Sequence, residues 1–457
     1  VKPMRYHFIA VGGAVMHNLA IALHLKGHDV TGSDDEIFEP SKSRLEQHGI
    51  LPEKTGWDPN RITTDLDGVI LGMHAKQGNP ELDKAKELNL QIYSFPEFLA
   101  EHAKDKKRIV IGGSHGKTTI TAMLMHILRE EGFDFDYLVG AQLKGFDVMV
   151  RLSDSAPIMI FEGDEYLTSA LDPRPKFHLY NPHIALISGI AWDHINVFPT
   201  FQNYLEQFAI FIDKIEKDGT LVYYHDDIEL QKLASESARE IKKISYSIPD
   251  YKVVDDSAVM DFQGEKYPMK VFGDHNLANL EGTAIICREL GIQRQKVLSS
   301  MTRFEGAAKR LELVREKENS SVFTDFAHAP SKLYATINAV KKQYPERKLL
   351  ACMELHTYSS LSQEFLSHYK GTMDSADLPV VYFNPHAIKL KKLDPITRVD
   401  ILKAFQNENL EVFDDSNELK AFLLQQNWKN TNLLMMSSGN YDGIDLQELA
   451  DTILGQV

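Results

Sequence analysis

Cysteine is almost missing: Cys287 and Cys352 are the only two thiols in 457 residues. Two isolated cysteines build neither a disulfide framework nor a Cys-based zinc site, so a reducing cytoplasm is the simplest expected setting. Long hydrophobic runs are also missing, and none approaches the ~18 residues that a membrane span needs. The opening residues, Val1-Lys2-Pro3-Met4-Arg5-Tyr6-His7, lead straight into a strand-like run without the apolar stretch of a signal peptide. No membrane partner is expected. Positive charge is in deficit, with 50 Lys+Arg against 65 Asp+Glu and a net charge of −15. Phosphate backbones and acidic lipids recruit basic surfaces, so the negative sign argues against a general nucleic-acid or anionic-membrane binder. Small anionic ligands are not excluded, because they need only a local pocket of backbone N–H groups and a few cations. Short-period repeats and low-complexity tracts are absent too. What is there is ordinary globular composition, 43% hydrophobic and 25% charged, in a chain long enough for about three domains.

The pattern along the chain divides into three blocks. In residues 1–104, a strand over Tyr6–Val11 meets Gly12-Gly13 and a helix over Val15–Lys26. Strands at Asp29–Gly32, Gly68–Gly72 and Gln91–Ser94 alternate with helices at Lys42–His48, Glu81–Leu88 and Pro96–Ala103. Such alternation predicts a parallel sheet with crossover helices. The charged stretch Glu101–Arg108 is expected to be an exposed linker. The second block, residues 105–308, opens with a strand over Arg108–Ile111, a glycine-containing loop and a helix to Glu131. Strands at Ile158–Phe161 and Ile184–Ser188 follow, then a helix over Asn203–Lys214 and a hairpin-like region, Tyr251–Val271, turning near Gln263-Gly264. Helices Ala278–Leu290 and Gln295–Met301 close the block. A third alternating unit covers residues 309–457. The expected class is α/β in three consecutive domains.

The strongest chemical signal is the loop Gly112-Gly113-Ser114-His115-Gly116-Lys117-Thr118-Thr119 between strand and helix. Glycines there let successive N–H groups face one anion at a helix N-terminus. Lys117 can reach the β/γ-phosphates of a nucleotide, and the Thr118 hydroxyl is placed to ligate Mg²⁺. The fit is to a shorter G-x-x-G-K-T-T, because Ile111 occupies the first glycine position of the usual pattern. The acidic run Glu162-Gly163-Asp164-Glu165 ends an apolar strand, and Asp193-His194 follows another. That is the sheet edge where open α/β folds assemble ligand sites, and a carboxylate there could share the metal with Thr118. Gly12-Gly13 is half a dinucleotide fingerprint, equally readable as a tight turn, and Ser33-Asp34 ends the next strand where acids commonly meet a ribose. His275, Asn276 and Asn279 read as simple helix caps. Arg310, Asp325 and His328 read as loop polar residues without metal spacing.

Taken together and in this order, the motifs resemble those of the Mur ligase family, the ATP-dependent amide-forming enzymes of peptidoglycan assembly. Gly113 to Thr119 is similar to the family's ATP loop. Glu162-Gly163-Asp164-Glu165-Tyr166 and Asp193-His194 are similar to its metal motifs. Gly273-Asp274-His275-Asn276 with Asn279 is similar to its adenine-contacting motif, and Arg310-Leu311-Glu312 with Asp325 to Pro330 to its C-terminal nucleotide contacts. The resemblance implies a Rossmann-like domain over 1–104 binding a UDP-sugar through Gly12, Gly13, Ser33 and Asp34. It further implies a P-loop ATPase domain over 105–308 and a Rossmann-like domain over 309–457 that closes over ATP and binds the amine. The nearest motifs, including Gly78-Asn79-Pro80 and Asp172-Pro173-Arg174-Pro175-Lys176-Phe177, belong to members acting on UDP-N-acetylmuramate. The amine is then the murein peptide L-alanyl-γ-D-glutamyl-meso-diaminopimelate, with L-alanine as the alternative. Ala10, Val15, His17 and Asn18 stand where relatives often carry glycine or other small residues. In Glu354-Leu355-His356-Thr357-Tyr358-Ser359-Ser360 the arginines of relatives are missing, and His356 and Tyr358 remain as candidate amine contacts.

The reaction that the resemblance implies has two steps. The lactyl carboxylate attacks the γ-phosphate of ATP to give an acyl phosphate, and the amine displaces phosphate to leave an amide and ADP. Lys117 and Mg²⁺ would neutralise developing charge, with Thr118, Glu162 and His194 holding metal. Readings from other classes are a P-loop regulatory ATPase and a non-catalytic UDP-muramyl-binding protein.

Overall fold

The computed structural model describes residues 2–192, 197–307 and 310–457. The chain divides into two compact units, Val1–Ile190 with Val197–Tyr246, and Ser247–Val457 with the short segment Ala191–Asn196.

The first unit holds two sheets. β1 (Arg5–Ile9), β2 (Asp29–Ser33), β3 (Gly68–Leu71) and β4 (Ile92–Ser94) form a four-stranded sheet in the order β2-β1-β3-β4, parallel throughout. Strands that are buried on both faces read as unbroken apolar runs, and Gly68–Leu71 is buried at every position. The chain leaves β1 toward β2 on one side and returns to β3 on the other. That reversal is a topological switch point at the carboxyl end of β1, where Gly12 and Gly13 lie and where open α/β sheets place their ligands.

Seven strands make the second sheet: β5 (Lys107–Gly112), β6 (Phe135–Leu138), β7 (Val150–Arg151), β8 (Ile158–Glu162), β9 (Ile184–Ile187), β10 (Thr220–Tyr224) and β11 (Lys242–Tyr246). Their order is β11-β10-β9-β5-β8-β6-β7, and all neighbours are parallel except β6 and β7. β5 therefore sits between β8 and β9, with Ile111 beside Glu162 and Gly112 beside Ile187. The helix Lys117–Glu130 buries Ile120, Met123, Leu124, Ile127 and Leu128. That i, i+3, i+4, i+7, i+8 stripe holds it on the sheet.

The two sheets of this unit are stapled together. Asn18 accepts from the Met149 N–H at 3.0 Å, the Arg44 guanidinium donates to the Asp147 carbonyl at 2.8 Å, and Lys26 pairs with Asp154 at 2.5 Å. The stretch Glu101–Arg108 is exposed at Glu101, Lys104, Asp105 and Lys107, as its charge predicts, but it ends one helix and opens β5 rather than forming a free linker. Lys106 and Arg108 are buried. Lys106 Nζ lies 2.9 Å from Asp136 and 2.8 Å from the carbonyls of Ser153 and Ala156. Arg108 donates to the carbonyls of Lys104 and Asn181 and pairs with Glu216 at 2.6 Å. Each buried cation is tolerated because carbonyl oxygens and a carboxylate replace its hydration.

The second unit carries an antiparallel three-stranded sheet, β12 (Lys252–Val254), β13 (Ser257–Phe262) and β14 (Glu265–Met269), turning at Gln263-Gly264. It also carries β15 (Glu312–Lys317), β16 (Ser320–Asp325), β17 (Lys348–Leu355), β18 (Leu378–Phe383), β19 (Glu411–Phe413) and β20 (Thr431–Met436). These lie in the order β15-β16-β20-β17-β18-β19, with β15 antiparallel at the edge and the rest parallel. Among the described residues no helix is long and apolar enough to cross a membrane.

Candidate active site

The loop after β5 is shaped by two left-handed glycines. Gly116 (φ +73°) takes the N-cap position of the helix Lys117–Glu130. Gly113 (φ +117°) lies so close to the end of β9 that a Cβ there would meet the Ser188 nitrogen at 2.8 Å. Only glycine meets both demands without strain. The neighbouring turn braces the loop, because Ser114 N–H donates to the Gly189 carbonyl at 3.0 Å and Ser188 N–H to Gly112 at 3.2 Å. Ser114, Thr118 and Thr119 are buried, while His115, Gly116 and Lys117 are partly exposed.

Lys117 Nζ donates to the Gly113 carbonyl at 2.7 Å and to Glu165 Oε2 at 2.6 Å. Burial by itself would lower its pKa, but Glu165, Asp164 and Glu162 outweigh burial and hold the ammonium above its ordinary value. Asp164 is displaced the other way. Burial would raise it, yet Lys176 and Lys117 keep its carboxyl well below the usual range. Lys176 makes an ion pair with Asp164 at 2.5 Å and sits over the rings of Phe95 and Tyr166. The site thus holds Glu162, Asp164 and Glu165 against Lys117 and Lys176.

Thr118 Oγ1 donates to Glu162 Oε1 at 2.8 Å, and Gly140 N–H donates to Glu162 Oε2 at 2.6 Å. These two oxygens suit Mg²⁺ in kind, since it prefers hard oxygen donors. His194, expected as a further metal ligand, lies outside the described residues.

At the four-stranded sheet, Gly12 N–H donates to Asp34 Oδ2 at 2.7 Å, so the glycine turn and the end of β2 form one cradle. Burial raises the Asp34 carboxyl, and Asp35, which hydrogen-bonds it, is lowered. Ser33 is buried and donates to Glu81, which also accepts the Asp58 N–H at 2.8 Å and lies 3.3 Å from His7. His17 reaches both the Gly13 carbonyl (2.9 Å) and Ser41 (3.0 Å), filling space beside the turn.

In the second unit the cap reading of the helix Asp274–Glu289 does not hold. Gly273 is the N-cap, and Asn276 and Asn279 lie inside the helix with Asn276 Nδ2 donating back to the Phe272 carbonyl at 2.9 Å. Their side chains are therefore not occupied in capping. Burial drives the pKa of His275 down to about 4, against the smaller pull of Asp274, so its imidazole is neutral at pH 7. Arg310, Asp325 and His328 are more than scattered loop residues, for they gather around Phe326. The Arg310 guanidinium lies 4.6 Å from the Phe326 ring centroid, and His328 packs edge-on to the same ring at 5.4 Å. Asp325 ends β16 and accepts N–H bonds from Leu311 and Ala327 at 2.5 and 2.6 Å. Burial nonetheless raises its pKa against the opposing influence of Arg310 and those amides. His356 follows β17, 3.6 Å from the buried Glu354, and Tyr358 is exposed.

Sequence reasoning gave individual roles to Lys117, Thr118 and Glu162, named Glu165 and Lys176 only within longer motifs, and did not single out Tyr204. Glu165 was visible in the acidic run. Tyr204 had no signal, because on a helix rich in phenylalanine it reads as core.

Residues 111–287 match the Mur ligase middle domain, and residues 5–107 match the Mur ligase family catalytic domain. The chain is 32% identical to the UDP-N-acetylmuramate–L-alanine ligase of Clostridium kluyveri over 81% of this chain and 82% of that one. It is 27% identical to the UDP-N-acetylmuramate–L-alanyl-γ-D-glutamyl-meso-2,6-diaminoheptandioate ligase of Haemophilus influenzae over 98% of each. In fold it is similar to the murein peptide ligase of Psychrobacter arcticus (TM-score 0.67, 23% identity, 99% of each chain). It is likewise similar to the UDP-N-acetylmuramate–alanine ligase of Thermotoga maritima (TM-score 0.70, 19% identity, 99% of each chain). With the phosphate loop, the acidic strand end and these relatives in agreement, the chain belongs to the Mur ligase family and is an ATP-dependent, ADP-forming amide ligase of peptidoglycan synthesis.

Proposed function

We propose that this enzyme joins the lactyl carboxylate of UDP-N-acetylmuramate to the amine of the murein peptide L-alanyl-γ-D-glutamyl-meso-diaminopimelate, in peptidoglycan recycling in the cytoplasm. The observation that carries the ligase chemistry is the Lys117–Thr118–Glu162 arrangement at the end of β5, with Nζ and two hard oxygens on one loop and one strand end. A carboxylate is a poor acyl donor because oxide is a poor leaving group. Transfer of the γ-phosphoryl group gives an acyl phosphate, and attack by the amine then expels phosphate and forms the amide. Lys117 stabilises the charge that accumulates on the transferring phosphoryl oxygens. Thr118 and Glu162, with His194, would hold Mg²⁺, which supplies further neutralisation of phosphate charge when bound. Gly12, Gly13, Ser33 and Asp34 are proposed to hold the UDP-sugar on domain 1–104. In domain 105–308, Gly113 to Thr119 take the phosphates, and His275, Asn276 and Asn279 the adenine. Domain 309–457 is proposed to contribute Arg310, Asp325 and His328 to the nucleotide and His356 and Tyr358 to the amine.

The murein-peptide acceptor is supported by the relative that matches 98% of the chain. A second acceptor, L-alanine, is favoured by the relative at 32% identity. The deciding measurement is ADP release with Mg·ATP and UDP-N-acetylmuramate held fixed and the two amines compared. Turnover with the peptide and not with L-alanine is the expected result, and the reverse would assign the enzyme to synthesis from the free amino acid. ATP hydrolysis indifferent to the UDP-sugar would instead favour a regulatory ATPase.

A further inference from the structure

The ammonium of Lys117 belongs to a ring of hydrogen bonds that starts and finishes on adjacent residues of the phosphate loop. Lys117 Nζ donates to the Gly113 carbonyl at 2.7 Å and to Glu165 Oε2 at 2.6 Å. The other oxygen of Glu165, Oε1, accepts from the Tyr204 hydroxyl at 3.3 Å. That hydroxyl lies 2.9 Å from Ser114 Oγ, and Ser114 is joined to Gly113 by a peptide bond. The side chains closing the ring are out of solvent, with Ser114 3%, Glu165 1% and Tyr204 0% exposed. Tyr204 comes from the helix Phe201–Asp213, and its ring is fixed edge-on against Phe208 and tilted against Phe198. One rigid helix therefore reaches the lysine through Glu165 and the loop crown through Ser114.

We propose that Glu165 and Tyr204 are positioning residues for the triphosphate, holding the Lys117 ammonium and the Ser114 turn in the geometry that receives phosphate. The proposal rests on the ATP-ligase reading above and adds two residues to it. Lysine has a long flexible stem, and freezing it only when the ligand arrives would weaken binding. Here two acceptors and a buried tyrosine have already frozen it. Glu165 has a second, opposing effect, because its carboxylate competes with phosphate for the same ammonium. Substituting Glu165 would mix the two effects. Tyr204→Phe separates them, since it deletes one hydroxyl and leaves every charge in place.

The test is calorimetric binding of Mg·ATP, with kcat, KM and the thermal midpoint, for the parent chain, Tyr204→Phe, Ser114→Ala and the double variant. In Tyr204→Phe the dissociation constant for ATP should rise about tenfold, the low end for a lost hydrogen bond to a charged group, because that bond is 3.3 Å long. The value of kcat/KM should fall in step while the melting midpoint moves by only a few degrees. Ser114→Ala should reproduce most of that loss. The double variant should be no more than about twofold worse than either single one, because both break the same ring. ATP affinity in Tyr204→Phe within twofold of the parent would overturn the proposal, as would losses that multiply in the double variant. If Tyr204→Phe does not fold, Ser114→Ala decides by the same affinity criterion. Failure of the parent chain itself to bind Mg·ATP is a separate outcome, and it would remove the ligase reading on which the ring's role depends.

Discussion

Lys117→Ala is the perturbation with the largest expected effect, and its magnitude can be worked from the geometry. The ammonium stands 2.6 Å from Glu165, a residue only 1% exposed. It is also the first-turn cation of the helix Lys117–Glu130, where a phosphate would sit. Opposite charges 3–4 Å apart interact by roughly 4–5 kcal/mol at an effective dielectric of 20, before the loss of hydration is subtracted. Removing a single charge-stabilising donor from a preorganised site typically costs about 3–4 kcal/mol, or 10²–10³ in rate. Here the loss is compounded, because Glu162, Asp164 and Glu165 would face the triphosphate with only Lys176, itself paired to Asp164, left of the two lysines at the site. We expect the variant to bind Mg·ATP at least about 10² times more weakly and to release phosphate about 10³ times more slowly. Truncation also leaves Glu165 buried without its cation, a defect worth about 3–5 kcal/mol of stability. The two losses can be told apart. Lys117→Ala/Glu165→Gln removes the orphaned charge, so it should regain most of the stability and none of the turnover. Calorimetric ATP binding, coupled ADP release and urea unfolding of all three proteins make the assay. Substrate-dependent phosphate release in Lys117→Ala within tenfold of the parent would refute the assignment of this lysine to the transferring phosphate.

Other expectations follow from neighbouring groups. Glu162→Ala removes the acceptor of both Thr118 and Gly140. Because even outer partners of a metal ligand are worth 10–100-fold in affinity, the Mg²⁺ concentration for half-maximal activity should rise at least about tenfold, and an unchanged Mg²⁺ titration would remove Glu162 from the metal site. Asp136 has a depressed pKa: burial would raise it, but His102, Ser153 and Lys106 prevail. Its stabilising contribution is therefore complete above the unfolded value of about 3.9 and disappears as the pH falls through the folded one. Urea midpoints measured from pH 6 down to pH 2.5 should fall less steeply for Asp136→Asn than for the parent. Lys106→Met removes the nearest cation from Asp136, which keeps His102 at 3.2 Å, Arg151 at 3.8 Å and the Ser153 N–H, so it should cost about 1–3 kcal/mol at pH 7, and a loss below about 0.5 kcal/mol would show the pair to be solvated.

Much of the first unit could be read directly from the chain. Alternating apolar runs and helical stripes placed the four strands of the N-terminal sheet within a residue or two, because buried parallel strands have little freedom in composition. The phosphate loop was legible for a similar reason, since its glycines and Lys117 answer to backbone geometry and charge at one place. Lys106 and Arg108 were misread because charge predicts exposure only on average, and their partners Asp136, Asn181 and Glu216 are far away in sequence. The edge strand Lys242–Tyr246 escaped notice since its outer side is partly exposed and it carries no continuous apolar run. Tyr204 escaped for a different reason. Its hydroxyl meets Ser114 across 90 residues, and nothing local separates a tyrosine that closes a hydrogen-bonded ring from one that fills a core.

The bonds that join Asn18 to Met149, Arg44 to Asp147 and Lys26 to Asp154 bear on how the protein can be dissected in the laboratory. A fragment cut after residue 104 would forfeit all three and expose a polar seam made for another surface. The proposed binding of a UDP-sugar is better tested in a piece ending at Tyr246, which retains both sides of that seam and the glycine turn held by Asp34.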